Sequence, residues 1–234
     1  RGLVIRMRAQ GLEVRGEDIW AEAGCVTAKV VKAAADAGLT GLEAWNGLPG
    51  TVGGAVLGNA GCFGVECKDV LKEATVFLPG QGVQVLRVEE FEYRYRWSRF
   101  KEENGVILSA VFKLTKGEPV AITERMNEVA RSRIQKQPPG SSTGSFFKNP
   151  VGDHAGRLIE AAGLKGKQVG KAMISPAHAN FMLNTGGASS ADVLGLAELV
   201  QNEVQRQFGI RLEREVVYVS PIFKYNEGEF NSTL

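Results

Sequence analysis

This 234-residue chain is short of long apolar runs, of charge excess, of histidine and of paired cysteine. No apolar stretch approaches the roughly 20 residues that span a bilayer, so no membrane partner is expected. Lys+Arg number 28 and Asp+Glu 26, and a net charge of +2 gives no footprint for nucleic acid. No basic stretch followed by an apolar core opens the chain, so a signal peptide is not expected. The three cysteines, Cys25, Cys62 and Cys67, are odd in number and lack metal-ligand spacing. They read as reduced thiols of a cytoplasmic protein, and no metal is expected. With only His154 and His178, and no GxSxG elbow, serine–histidine acyl transfer has little to work with.

What is present is an ordinary globular composition, 44% hydrophobic and 23% charged. The first half alternates short apolar segments with glycine-rich turns. Strands are expected at 2–8, 13–16, 18–22, 73–77, 83–87 and 106–114, the last with Val106, Leu108, Ala110 and Phe112 on one face. Leu3-Val4-Ile5 reads as a buried strand already under way, which suggests a missing upstream segment. One helix is expected over 27–37, capped by Thr27 and stopped by Gly38. The second half reads as more helical. A helix opens at Pro119 with Ile122, Met126 and Val129 on one face. Asp153 is placed to cap another running through Ala162. Ser189-Ser190-Ala191-Asp192 is a capping box. It opens the longest helix, with Val193, Leu196, Val200, Val204 and Phe208 inward. A strand closes the pattern from Glu215. Pro138-Pro139 marks a domain boundary. The expected domains are 1–136, 137–217 and a returning C-terminal strand and tail over 218–234.

Four clusters carry the chemistry. The densest is GLPGTVGGA from Gly47, followed by GNAGCFG from Gly58. Glycine at this density lets main-chain N–H groups approach a ligand, and successive N–H groups can cradle phosphate oxygens. Neither a P-loop nor a GxGxxG opening a helix is present. Ordinary tight turns are the plainer alternative. In YRYRWSRFK, from Tyr93, basic and aromatic residues alternate. This suits stacked bases, one arginine forking a carboxylate, or a solvated strand. In GSFFKNP, from Gly144, Ser145 follows a hinge of small residues; it is a proton donor or a turn hydroxyl. In LEREV, from Leu212, strand alternation puts Glu213 and Glu215 on one face and Arg214 on the other.

Together, GLEAWNGLPGTVGGAVLGNAGCFGVE, YRWSRFK, GSFFKNP, HANFMLN and LEREV resemble, in order, the UDP-N-acetylenolpyruvoylglucosamine reductase (MurB) family. The long form's extra loop has no room between Phe112 and Gln137, so the likeness is to the shorter branch. The resemblance implies an α+β fold: an FAD-binding domain of the vanillyl-alcohol-oxidase type, then a C-terminal substrate domain. It implies FAD as cofactor and NADPH as reductant of an enolpyruvyl ether on a UDP-sugar, in cell-wall synthesis. It assigns Arg96 to the substrate carboxylate, Ser145 to proton donation, and Glu215 to holding a proton or orienting the carboxylate through one, a role that requires a pKa raised by burial or by Glu213 nearby. Tyr95, Lys148, Asn149 and His178 would touch the substrate. Pro49, Gly50, Thr51, Val52, Gly53, Gly54, Asn59, Gly61 and Gly64 would line the flavin. Nothing matches the family's glycine-rich GSN loop near its start, so weak FAD binding by these residues alone is expected. The last strand, over 216–223, would be left an exposed edge. Another FAD oxidoreductase of this fold, or a non-catalytic UDP-sugar or flavin-binding module, is the alternative.

Overall fold

A computed structural model describes residues 4–219. The described chain forms two units, residues 7–139 and residues 140–219 together with residues 4–6, and the part before and the part after Pro139 each have their own core.

The unit before Pro139 is built on a five-stranded antiparallel sheet. Its strands are β1 (Leu12–Arg15), β2 (Asp18–Glu22), β3 (Leu71–Leu78), β4 (Gly82–Arg87) and β5 (Val106–Lys113), in the order β1-β2-β5-β3-β4. Period-2 alternation explains β2, whose Ile19 and Ala21 are buried between half-buried neighbours. The alternation expected for β5 breaks. Its register against β3 slips between Thr75 and Val76, and Ile107 is buried in place of Leu108. One extra residue in a strand reverses which side chains face the core.

Helix α1 (Thr27–Asp36) packs Val30, Val31 and Ala34 into this core. Thr27 does not cap it: Val26 is the N-cap, and the Thr27 hydroxyl donates to the Leu48 carbonyl at 2.5 Å. Helix α2 (Val52–Leu57) was not anticipated, because two of its six residues are glycine. It starts as a continuation of the sheet. Val52 and Gly53 donate their N–H groups to the Cys25 and Ala23 carbonyls, each at 2.9 Å. Helix α3 (Pro119–Lys136) starts on proline and buries Ile122 and Val129. Trp45 meets Phe112 edge-on at 5.8 Å near the centre of the core.

The unit after Pro139 holds a second antiparallel sheet, also unanticipated. Its strands are β6 (Ser142–Ser145), β7 (Gln168–Val169), β8 (Ala172–Ile174) and β9 (Phe181–Asn184), in the order β6-β9-β8-β7. Two- to four-residue strands are too short for periodicity to reveal. Helix α4 (Ala155–Ala161) follows His154. Asp153 is not its cap; the Arg157 guanidinium engages its carboxylate and, with the His154 N–H, pulls its pKa down to about 2. Helix α5 (Ser190–Phe208) has the expected capping box, Ser189 with Asp192, and ends on left-handed Gly209. It buries Leu196, Ala197, Val200 and Val204, whereas Phe208 is 37% exposed.

Within the described residues, two expected strands do not form. Val4 and Ile5 are exposed, and residues 4–8 pair with no strand. From Glu215 to Val219 the chain is irregular, and the nearest pairing is an isolated bridge of Arg214 to Phe147. The remainder of the expected final strand and tail lies outside the described residues. Among those described, no helix is long and apolar enough to cross a membrane.

Ser189→Ala removes the hydroxyl that accepts from the Asp192 N–H at 3.1 Å. It should cost about 1 kcal/mol of stability. Urea denaturation monitored by far-ultraviolet circular dichroism should show a lower midpoint with an unchanged slope.

Candidate active site

Within the unit before Pro139, Pro49, Gly50 and Thr51 form the turn that enters α2, and Val52, Gly53 and Gly54 are its first residues. The Gly53 N–H is taken by Ala23, and the Gly54 N–H faces the Thr51 hydroxyl at 3.5 Å. A phosphate cradle made of successive free N–H groups is therefore not built at 52–54. The glycines here solve two different problems. At Gly53 a Cβ would sit 2.9 Å from the Cβ of Ala23, so the helix must lie directly on the sheet. At Gly50 (φ +118°) and Gly64 (φ +83°) the α-carbon faces open space. Bare main chain lies open there to a flat ligand.

Arg96 sits in a tight turn, closed by reciprocal backbone hydrogen bonds between Arg94 and Trp97 at 3.1 and 3.2 Å. Its backbone is left-handed, φ +55°, and its Nη2 donates to the Gly61 carbonyl at 2.6 Å. The guanidinium lies 4.9 Å from the ring centre of Tyr95, which is exposed. A Cβ on Gly61 would meet Arg96 Nη1 at 3.1 Å and Glu66 Cγ at 2.8 Å. Asn59, fully buried, bonds through Nδ2 to Glu66 and to the Arg94 carbonyl, each at 3.1 Å. Its Oδ1 accepts from the Lys68 N–H at 3.0 Å. The Asn59 amide thus serves the fold around the turn.

Arg133 was not singled out from sequence. From α3 it donates to the Asn46 carbonyl at 2.8 Å and to Cys62 Sγ at 3.2 Å, and it covers the Phe63 ring at 5.1 Å. One guanidinium therefore ties the turn around residue 47 to the turn around residue 63. Burial pushes the Cys62 thiol pKa up, with Arg133 opposing. It is an unreactive thiol at neutral pH.

In the unit after Pro139, Ser145, Asn149 and His178 line one cleft of about 390 Å³, with His154, Arg157, Glu160 and Asn180. Ser145 ends strand β6 and is exposed. Phe146 and Phe147 are buried and pack edge to face at 5.0 Å, which fixes the main chain beside it. Asn180, 4% exposed, clamps Phe147 at both polar atoms: it accepts from the N–H at 2.9 Å and donates to the carbonyl at 2.8 Å. Asn180 was also missed; its only signal was its place in HANFMLN. Asn149 Oδ1 accepts from the Ala155 N–H at 3.0 Å, so it holds the start of α4.

His178 Nδ1 accepts from the Asn180 N–H at 3.2 Å. Burial pulls the His178 pKa below the usual value, and Lys165 adds to the effect. The ring is therefore neutral at pH 7, and its hydrogen sits on Nε2 as a donor. Gly156 leaves room for it, since a Cβ there would lie 3.3 Å from His178 Cε1.

Residues 213–215 run beside 146–148. The Lys148 N–H donates to the Glu213 carbonyl, and the Glu215 N–H to the Phe146 carbonyl, both at 2.8 Å. This brings half-buried Glu215 alongside the residue that follows Ser145. The Glu213 carboxylate pairs with Lys148, and Arg214 reaches Gln201 on α5 at 3.1 Å. Among the described residues no group of three histidines, cysteines or carboxylates could hold a metal ion.

Comparison with known proteins gives the same outline. Residues 135–219 match the family model of the UDP-N-acetylenolpyruvoylglucosamine reductase C-terminal domain, and residues 1–86 match an FAD binding domain. The UDP-N-acetylenolpyruvoylglucosamine reductase of Chloroflexus aurantiacus is 46% identical over 224 residues, covering 92% of this chain and 75% of that protein. The enzyme of the same name from Chloroflexus aggregans is 44% identical over the same length. The crystal structure of the Thermus caldophilus enzyme, MurB, superposes with a TM-score of 0.75 at 42% identity, covering 84% of this chain and 70% of that one. The fold is α+β, an FAD-binding domain followed by a MurB C-terminal domain. The chain belongs to the UDP-N-acetylenolpyruvoylglucosamine reductase family, FAD-dependent oxidoreductases of peptidoglycan synthesis.

Proposed function

We propose that this chain carries out the NADPH-dependent reduction of UDP-N-acetylglucosamine enolpyruvate to UDP-N-acetylmuramate. The observation that carries the reading is the cleft. It joins an exposed serine hydroxyl, a neutral histidine donor and an asparagine, with a half-buried glutamate on the adjoining segment. FAD, when bound, would supply the hydride that NADPH delivers. Gly50 and Gly64 offer it bare main chain, flanked by Pro49 and Thr51, and Gly53 and Gly61 sit where a Cβ would collide with Ala23 and with Glu66.

The residues then divide the remaining work. Hydride addition to an enol ether next to a carboxylate builds negative charge on the three-carbon unit, which needs fixed donors. Arg96 supplies a planar fork for the carboxylate, and its bond to Gly61 holds that fork in place. Ser145 gives its hydroxyl proton to the carbon that becomes the anion. Glu215, on the segment alongside, orients the substrate carboxylate through a shared proton. His178 donates from Nε2 to an oxygen of the nucleotide, and Lys148, Asn149 and Tyr95 contact the nucleotide or its diphosphate. Residues 7–139 would then be the flavin-binding domain and residues from 140 onward the substrate domain. A catalytic role for the cleft, rather than simple UDP-sugar binding, is favoured by the placement of Ser145 beside the Glu215 segment.

Ser145→Ala should leave flavin bleaching by NADPH at its normal rate in stopped-flow. Reoxidation by the enolpyruvyl nucleotide should slow by about 10²–10⁴-fold. Equal slowing of both steps would refute proton donation. Arg96→Lys should raise KM for the nucleotide and lower kcat, because an ammonium cannot form the planar fork.

His178 gives a pH test. Its folded pKa is lowered, so the unfolded chain takes up the proton first as pH falls. Stability is then lost as pH drops from the ordinary value of about 6.5 through the folded midpoint. Proton NMR of its ring C–H should place that midpoint below the ordinary value, and His178→Gln should remove that part of the pH dependence.

A further inference from the structure

Helix α2 ends at Leu57, and the last carbonyls of a helix have no partner within it. Here two side-chain hydroxyls from the Arg96 segment take that place. Tyr93 Oη donates to the Val56 carbonyl at 2.6 Å. Ser98 Oγ donates to the Leu57 carbonyl at 2.7 Å. Ser98 is fully buried. The Tyr93 ring stacks on Phe91 at 5.1 Å, and Phe91 meets Phe100 edge-on at 4.8 Å. Both ends of the segment are thus fixed to one short helix and one aromatic cluster. The Asn59 amide holds the Arg94 carbonyl between them.

The turn inside these anchors is strained. Arg96 is left-handed at φ +55°, a conformation that costs a residue with a Cβ about 1–2 kcal/mol. Such a backbone persists only where its surroundings over-determine it. The reciprocal Arg94–Trp97 bonds close the turn, Lys101 Nζ donates to the Arg96 carbonyl at 2.7 Å, and the two hydroxyls fix the flanks on either side.

We propose that Tyr93 and Ser98 are positioning residues for Arg96. By capping α2 they hold the arginine backbone in its left-handed turn and so set the direction of the guanidinium. This rests on the reading of Arg96 as the group that binds the substrate carboxylate.

The test uses the FAD-loaded chain carrying Tyr93→Phe, Ser98→Ala or Arg96→Lys. Tyr93→Phe keeps the ring stack and deletes one oxygen, so it tests the idea even where Ser98→Ala folds poorly. Loss of one anchoring hydrogen bond should weaken binding of the enolpyruvyl nucleotide, measured by isothermal titration, by about tenfold. In the two hydroxyl variants, FAD content and the rate of flavin reduction by NADPH should stay within about twofold of the parent. A fall in thermal midpoint with unchanged nucleotide affinity in both hydroxyl variants would overturn the inference. So would loss of FAD and equal slowing of both half-reactions, which would assign the hydroxyls to general stability. Unchanged affinity in Arg96→Lys would remove the carboxylate role of Arg96 itself, and the inference with it. Weakened binding in Arg96→Lys with none in the other two would leave that role standing and refute the positioning.

Discussion

The contact between the α-carbon of Gly53 and Ala23 sets the geometry of the unit before Pro139. With 2.9 Å between a hypothetical Gly53 Cβ and the Ala23 Cβ, nothing larger than glycine lets α2 begin there. Because it begins there, the Val52 and Gly53 N–H groups extend the sheet's hydrogen bonding into the helix. Because α2 is only six residues long, its carbonyl end falls beside the segment that carries Arg96. The turn that enters α2 and the turn that carries Arg96 are then tied to the two ends of one short helix.

The unit after Pro139 applies the same economy by other means. Phe146 and Phe147 anchor the chain in the core, the Asn180 amide fixes the main chain next to them, and Glu213 to Glu215 lie alongside. An exposed serine gains a defined position from buried neighbours. Surface chemistry on a rigid backbone is how a loop residue acquires precision.

Much of this was legible in the sequence where the pattern was long enough. Strand β2 and helix α5 declared themselves by alternation and by a capping box, and the five motifs in order pointed to the family. Shorter signals failed for identifiable reasons. VGGAVL hid a helix because glycine disfavours one in isolation, while the sheet supplies its first hydrogen bonds. The β7–β9 strands are too short for a period. Asp153 looked like a cap, but an arginine one turn on takes its carboxylate. The β-branched run after Glu215 promised a strand, yet in the described residues only Arg214 bridges to a partner. Arg133 and Asn180 were invisible because each acts on backbone atoms far away in the chain; the partners of Asn180 lie 33 positions away.

The two hydroxyl anchors also govern how this stretch can drift over evolutionary time. Tyr93 and Ser98 reach consecutive carbonyls, Val56 and Leu57, so the four residues between them are a ruler of fixed length. One inserted or deleted residue is not tolerated, because only one of the two hydroxyls could then keep its carbonyl, and the arginine would swing out of register.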